Sequence, residues 1–207
     1  MRYQELLERF SGDPLIDGTQ LLPFYDSDSA LRVQLSGWVK CGKLIKLRSN
    51  VFLLPTRHAG QEVFPLAVAA RLLAPSYLST HTALQYHGMI PEAVFSFTSV
   101  TSKRANTFTN PLGKFVYHHV RPGLFWGYSP GIQDGQTAFI AEPEKALLDL
   151  FYLRRQKATL EFIAELRLQN PRALSRQKLL KFAEKFHLGV MAEAAENLIT
   201  RLKGMRP

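Results

Sequence analysis

Five basic residues, Lys40, Lys43, Lys46, Arg48 and Arg57, fall within residues 40–57, and no acidic residue stands among them. A run of that kind is the electrostatic footprint of phosphate contact. Ser29, Arg32, Val33, Gln34 and Ser36 lie just ahead of it. Ser and Gln side chains can hydrogen-bond base edges, Arg can fork onto guanine, and Val33 can touch a thymine methyl. Lys46, Arg48 and Asn50 would then take phosphate or the minor groove. A solvated amphipathic helix beside an ordinary hairpin would show the same residues, so what positions them decides the matter.

Other reactive side chains form weaker constellations. His118 and His119 are adjacent on an expected strand, where neighbouring side chains point to opposite faces and cannot easily share one metal ion. His81 and His87 do not share a helix face, so structural roles are expected and no metal site is assigned. Asp134, Glu142, Glu144 and Lys145 suggest the carboxylate–lysine set of a metal-dependent nuclease, but Pro143 stands two positions before Lys145, where that set needs a carboxylate. Glu142 and Glu144 are instead read as first-turn helix acids, and Lys145 and Asp149 as a pair on the helix surface. Ser79, Thr80 and His81 are adjacent, yet no nucleophile elbow and no glycine-rich phosphate loop occurs. The expected protein is not an enzyme and takes no cofactor.

The elements that must hold the first set are legible in the pattern. Residues 29–41 read as a helix with Leu31, Leu35, Trp38 and Val39 on one apolar stripe. Asp26, Ser27 and Asp28 supply capping side chains, and Gly42 suits the position after the last turn. Residues 44–47 and 51–54 read as two short strands around a Ser49–Asn50 turn. A first helix is expected at 2–10, stopped by Ser11, Gly12, Asp13 and Pro14, and a short second helix or turn at 17–25. Helix, helix, helix, hairpin is the order of a winged helix-turn-helix, expected to span residues 1–58.

Residues 59–207 are expected to form an α+β domain with a small antiparallel sheet and a helical C-terminus. Helices are expected at 61–74 and 80–87, strands at 97–103, 115–120 and 137–141, with 127–131 a candidate for one more. The connections look too short for crossover helices, hence the antiparallel expectation. Residues 142–155 form the clearest helix, with Pro143 in its first turn and Arg154 and Arg155 at its end. Three more helices are expected at 160–168, 177–186 and 191–202, and a frayed end at 204–207.

The chain of 207 residues carries a net charge of +9, and its pI is about 9.8. That balance favours an anionic partner. Cys41 is the single cysteine, which rules out an intrachain disulfide and fits a reducing cytoplasm. No apolar signal core and no membrane-length run is seen. A second basic surface is expected from Lys103, Arg104, Lys114, His119 and Arg121, with no acid between residues 93 and 133. Arg167, Arg172, Arg176, Lys178, Lys181 and Lys185 add charge to the late helices.

Several stretches resemble the antitoxins of type IV toxin–antitoxin systems of the abortive-infection E class, the AbiEi-type transcriptional regulators. They are residues 35–48 (LSGWVKCGKLIKLR), 77–90 (YLSTHTALQYHGMI) and 141–153 (AEPEKALLDLFYL), with 100–103, 115–119 and 127–128 in matching order between them. The likeness covers most of the chain to about residue 155. Two positions depart from it: Asn50 stands where the family has the glycine of the hairpin turn, and Phe52 where it has a tyrosine. The resemblance implies an N-terminal winged domain that represses its own operon and a C-terminal domain that supplies antitoxicity. It also implies cooperative binding to promoter inverted repeats in double-stranded DNA, and a cognate nucleotidyltransferase-type toxin, opposed directly or indirectly. The expected function is therefore that of an autorepressor and antitoxin. Two rivals stay open: a nuclease to which the winged unit delivers DNA, and an interaction module whose basic helices dock on an acidic partner.

Overall fold

The computed structural model describes the chain apart from residues 11, 92–94, 155–156 and 205–207 and the side chain at position 172. The expectations placed on Ser11, on Arg155, on the Arg172 side chain and on the end at 205–207 lie outside the described residues. The fold is mixed α+β, with a three-stranded antiparallel sheet and a larger mixed sheet.

The N-terminal unit runs α1 (Tyr3–Arg9), β1 (Leu15–Asp17), α2 (Asp28–Lys40), β2 (Ile45–Arg48), β3 (Val51–Leu53) and α3 (Thr56–Ala59). The short helix or turn expected at 17–25 is a 3-10 turn, Gly18–Phe24; Pro23 lies inside it and Asp17 caps it by accepting from Thr19 N. Strand β1 is new. It pairs with β3 (Leu15 with Leu53, Asp17 with Val51), and β2 pairs on the other edge of β3.

The second unit contains α4 (Pro65–Leu72), β4 (Ser76–Leu78), α5 (Thr80–Tyr86), β5 (Ser96–Thr101), β6 (Asn106–Asn110), β7 (Gly113–His119), β8 (Tyr128–Gln133), β9 (Gln136–Ala141), α6 (Pro143–Arg154), α7 (Leu160–Glu165), α8 (Arg176–Glu184) and α9 (Gly189–Lys203). Its strands lie in the order β6-β7-β5-β4-β9-β8. The antiparallel expectation is corrected here: β5 runs parallel to β7, and β4 parallel to β9. No crossover helix is needed for the first of these pairs. The chain leaves β5, passes the slot that β7 will fill, forms β6 at the edge and returns as β7, antiparallel to β6.

Side chains sort into two apolar clusters that meet at the small sheet. Ile16, Phe52 and Leu54 face Leu6, Leu31, Leu35 and Trp38 of α1 and α2. Leu15, Leu47, Val51 and Leu53 point the other way and join the core of the second unit. Alternation along a strand produces this division, so the small sheet is shared between the units. The boundary expected at residue 58 falls in α3. Among the described residues, no helix is long and apolar enough to cross a membrane.

Helix α6 departs from the expected amphipathic pattern. Residues 144–151 are all buried, among them Glu144, Lys145 and Asp149. The helix runs through the interior, and the Lys145–Asp149 pair expected on its surface is fully enclosed.

Candidate nucleic-acid interface

Helix α2 begins where Ser27 Oγ accepts from Ala30 N at 3.2 Å. It ends in a Schellman turn: Lys43 N donates to Trp38 O and Gly42 N to Val39 O, with Gly42 at φ +70°. Leu31, Leu35 and Trp38 are buried against α1 and the small sheet. That fixes the rotation of the helix. Ser29, Arg32, Val33, Ser36 and Lys40 are left facing solvent, with Gln34 half-buried. Val33 is 75% exposed, a large aliphatic side chain with no apolar cover.

The hairpin lies beside this face. Asn50 adopts φ +59° at its tip, a left-handed conformation that Asn tolerates. Helix and hairpin together form a groove of about 560 Å3, with Arg32, Ser36 and Lys40 from α2 and Lys46, Ser49 and Asn50 from the hairpin on its walls. Leu35 and Phe52 are also among its lining residues. Among the described residues, no carboxylate lines it. The nearest acid on the helix, Asp28, pairs with Arg32 at 2.6 Å, but both side chains are more than half exposed, so the pair is weak and breakable.

Two residues of the expected set are diverted. Arg48 is half-buried, and its guanidinium donates to Leu72 O at the end of α4 and stands 5.3 Å over the Phe108 ring of β6. Arg48 thus clasps the hairpin to the second unit. A register shift between Lys46 and Arg48 lies in the same strand, where simple alternation is interrupted. Lys43 is also half-buried; its ammonium lies 4.8 Å over the Tyr3 ring, and Tyr3 OH donates to Lys43 O. Lys46 and Asn50 remain exposed.

Of the second basic surface, Lys103, Arg104, Lys114, His119 and Arg121 are all exposed. Lys103, Arg104, His119 and Arg121 gather where β5 and β7 end together, Thr101 lying opposite His119. His119 Nδ1 lies 2.9 Å from Lys103 O and ties that end. Lys114 stands apart near the start of β7, roughly 16 Å away at the usual rise per residue. Arg104 leads into β6, whose Phe108 touches Arg48, so this cluster flanks the hairpin side of the molecule. The late helices offer less free charge than their composition suggests. Lys178 pairs with Glu142 at 2.6 Å and with Glu144 at 3.7 Å. Burial lowers its pKa, but the two carboxylates more than offset that and leave it raised. Lys185 packs 4.8 Å over Trp126.

The nuclease constellation does not assemble. Lys145 is fully buried, its ammonium donating to Asp149 and, at 2.9 Å, to Tyr77 OH. Asp149 Oδ2 accepts from Tyr77 OH at 2.9 Å and from Ser79 Oγ at 2.7 Å. The Trp126 and Phe186 rings close around the ammonium at 4.8 and 5.1 Å. Burial pushes the Asp149 carboxyl up and the Lys145 amine down, while their mutual attraction opposes both shifts. Glu144 accepts from Ser175 N at 2.8 Å. Among the described residues, no three His, Cys, Asp or Glu side chains converge as a metal site would require. The resemblance motifs at 77–90 and 141–153 thus meet in one enclosed polar network. The sequence held one signal of it, the four-residue spacing of Lys145 and Asp149, without saying which way that face turns.

Neither a family model nor a curated protein matches the chain.

Proposed function

We propose that the chain is a DNA-binding transcriptional repressor whose N-terminal unit acts as a winged helix-turn-helix. Helix α2 lies in the major groove, and the β2–β3 hairpin is the wing. The observation that carries this reading is the groove between them. It is open and basic, no carboxylate among the described residues lines it, and it adjoins a helix face of Ser29, Val33 and Ser36 that is small enough to approach base edges. Lys40 and Lys46 neutralise phosphates on either side of it. Lys103, Arg104, His119 and Arg121 extend the positive surface toward the flanking duplex, and Arg48 holds the wing at a fixed angle to them.

The antitoxin role rests on the resemblance at residues 35–48, 77–90 and 141–153. In that role the second unit counteracts a nucleotidyltransferase-type toxin, and binding at inverted repeats is cooperative. A gel-shift titration with the duplex upstream of the chain's own coding sequence tests the DNA reading. A discrete complex that survives excess scrambled duplex supports it; equal competition by the scrambled duplex counts against it. Co-expression with the neighbouring gene product, scored by growth, tests the antitoxin reading separately. Rescue that persists after Lys40→Ala and Lys46→Ala would assign antitoxicity to the second unit.

A further inference from the structure

A cavity of about 700 Å3 opens at the junction of the two units, well within the range of small-molecule sites. Leu15 and the Gly12–Asp13 approach bound it from the N-terminal unit. One face of α4, Ala67, Ala70 and Arg71, bounds it from the second. Three aromatic side chains, Phe125, Tyr128 and Phe139, line it as well. Phe125 and Tyr128 pack edge-on at 5.4 Å, and Tyr128 and Phe139 at 5.8 Å. Short alanine side chains and three rings line a space of this volume, a lining suited to an aromatic ligand.

The polar groups at this cavity are mostly spent. Gln136 accepts from Phe64 N and donates to Glu62 O, and Ser76 Oγ donates to Leu73 O. The exception is the ion pair at the rim. Arg71 donates to Asp13, and the two side chains are 44% and 39% exposed. Each is wet enough to exchange partners, and Arg presents a planar fork suited to a carboxylate. Asp13 is itself a carboxylate held at that fork.

We infer that this cavity binds a small aromatic carboxylic acid. The ring lies among Phe125, Tyr128 and Phe139, and the acid group displaces Asp13 from Arg71. The site is independent of the DNA reading and is tested without DNA. Calorimetric titration of the intact protein with 2-naphthoate is the measurement, with 2-naphthylmethanol as its neutral counterpart. The expected Kd for naphthoate is about 1 mM or tighter for a ligand of that size. Arg71→Gln weakens it about tenfold or more, the alcohol binds as weakly to the unaltered protein, and Ala70→Trp fills the space and abolishes binding. Asp13→Asn removes the competing charge yet keeps the oxygen that accepts from Leu15 N, so it tightens naphthoate binding about threefold or more. These opposite signs are the signature of the site. Absence of saturable binding, or a shift of the same sign for Arg71→Gln and Asp13→Asn, overturns the inference. Both rim changes sit at half-exposed positions and carry the test even if Ala70→Trp does not fold.

Discussion

Lys145→Met would remove an ammonium from the interior and leave the Asp149 carboxylate behind. Breaking a buried ion pair in that one-sided way costs about 3–5 kcal/mol. For a chain of this length, 1 kcal/mol corresponds to roughly 2–4 °C in melting temperature, so a drop of about 6–20 °C is expected. The surroundings sharpen the prediction. Asp149 keeps its hydrogen bonds from Tyr77 and Ser79 and can relieve the remaining penalty by taking up a proton, because burial already pushes its carboxyl up. A carboxyl whose folded-state pKa is raised binds more protons folded than unfolded, so the variant regains stability as pH falls. Between pH 7.5 and 5.5 the recovery relative to wild type is at most about 2.7 kcal/mol, two pKa units at 1.36 kcal/mol each. Asp149→Leu has the opposite escape, loss of a proton from Lys145, whose amine burial pushes down, so its deficit narrows as pH rises. It strands the Lys145 ammonium and two hydroxyl donors, and should cost more than Lys145→Met at neutral pH. Thermal and urea unfolding followed by circular dichroism at both pH values reads all of this. A Lys145→Met variant within about 1 kcal/mol of wild type, or one whose deficit widens as pH falls, would refute the reasoning.

The remaining predictions concern the surface and the second sheet. Arg48→Ala should lower stability by about 1–3 kcal/mol by removing the Leu72 O and Phe108 contacts, while leaving the salt dependence of DNA binding unchanged. Val33→Glu, at a position 75% exposed, should stay within about 0.5 kcal/mol of wild-type stability and weaken DNA binding strongly by placing a negative charge against phosphate. Burial lowers the His118 pKa from its ordinary 6.5. Its contribution to stability is therefore present in full above about pH 6.5 and is lost as pH falls through the lowered folded-state value. His118→Gln should flatten that part of the stability–pH curve in urea titrations.

Much of the candidate interface is legible in the sequence because local rules decide it. The Leu31, Leu35, Trp38 stripe, the glycine at 42 and the asparagine at 50 each specify a backbone shape within a few residues, and the structure has those shapes. Strands β1, β4 and β6 were not readable. Leu15–Asp17 and Ser76–Leu78 are three residues each, too short to show alternation, and Asn106–Asn110 is a polar edge strand that resembles a loop. The parallel pairings depend on which slot the chain skips, which no local pattern records. The fate of Arg48 and of Lys145 is tertiary in the same sense. A basic residue on a short strand looks like a phosphate ligand until its strand is packed against Phe108, and a lysine–aspartate pair on a helix looks like surface until other elements cover every side.

In the proposed complex the groove between α2 and the hairpin takes duplex DNA through Lys40 and Lys46. Fluorescence anisotropy of a labelled upstream duplex, titrated at several salt concentrations, measures it most directly. The log–log salt slope is expected to become shallower by about 0.9 for each of Lys40→Ala and Lys46→Ala, and by about 1.8 for both together. A slope identical in wild type and the double variant would contradict it.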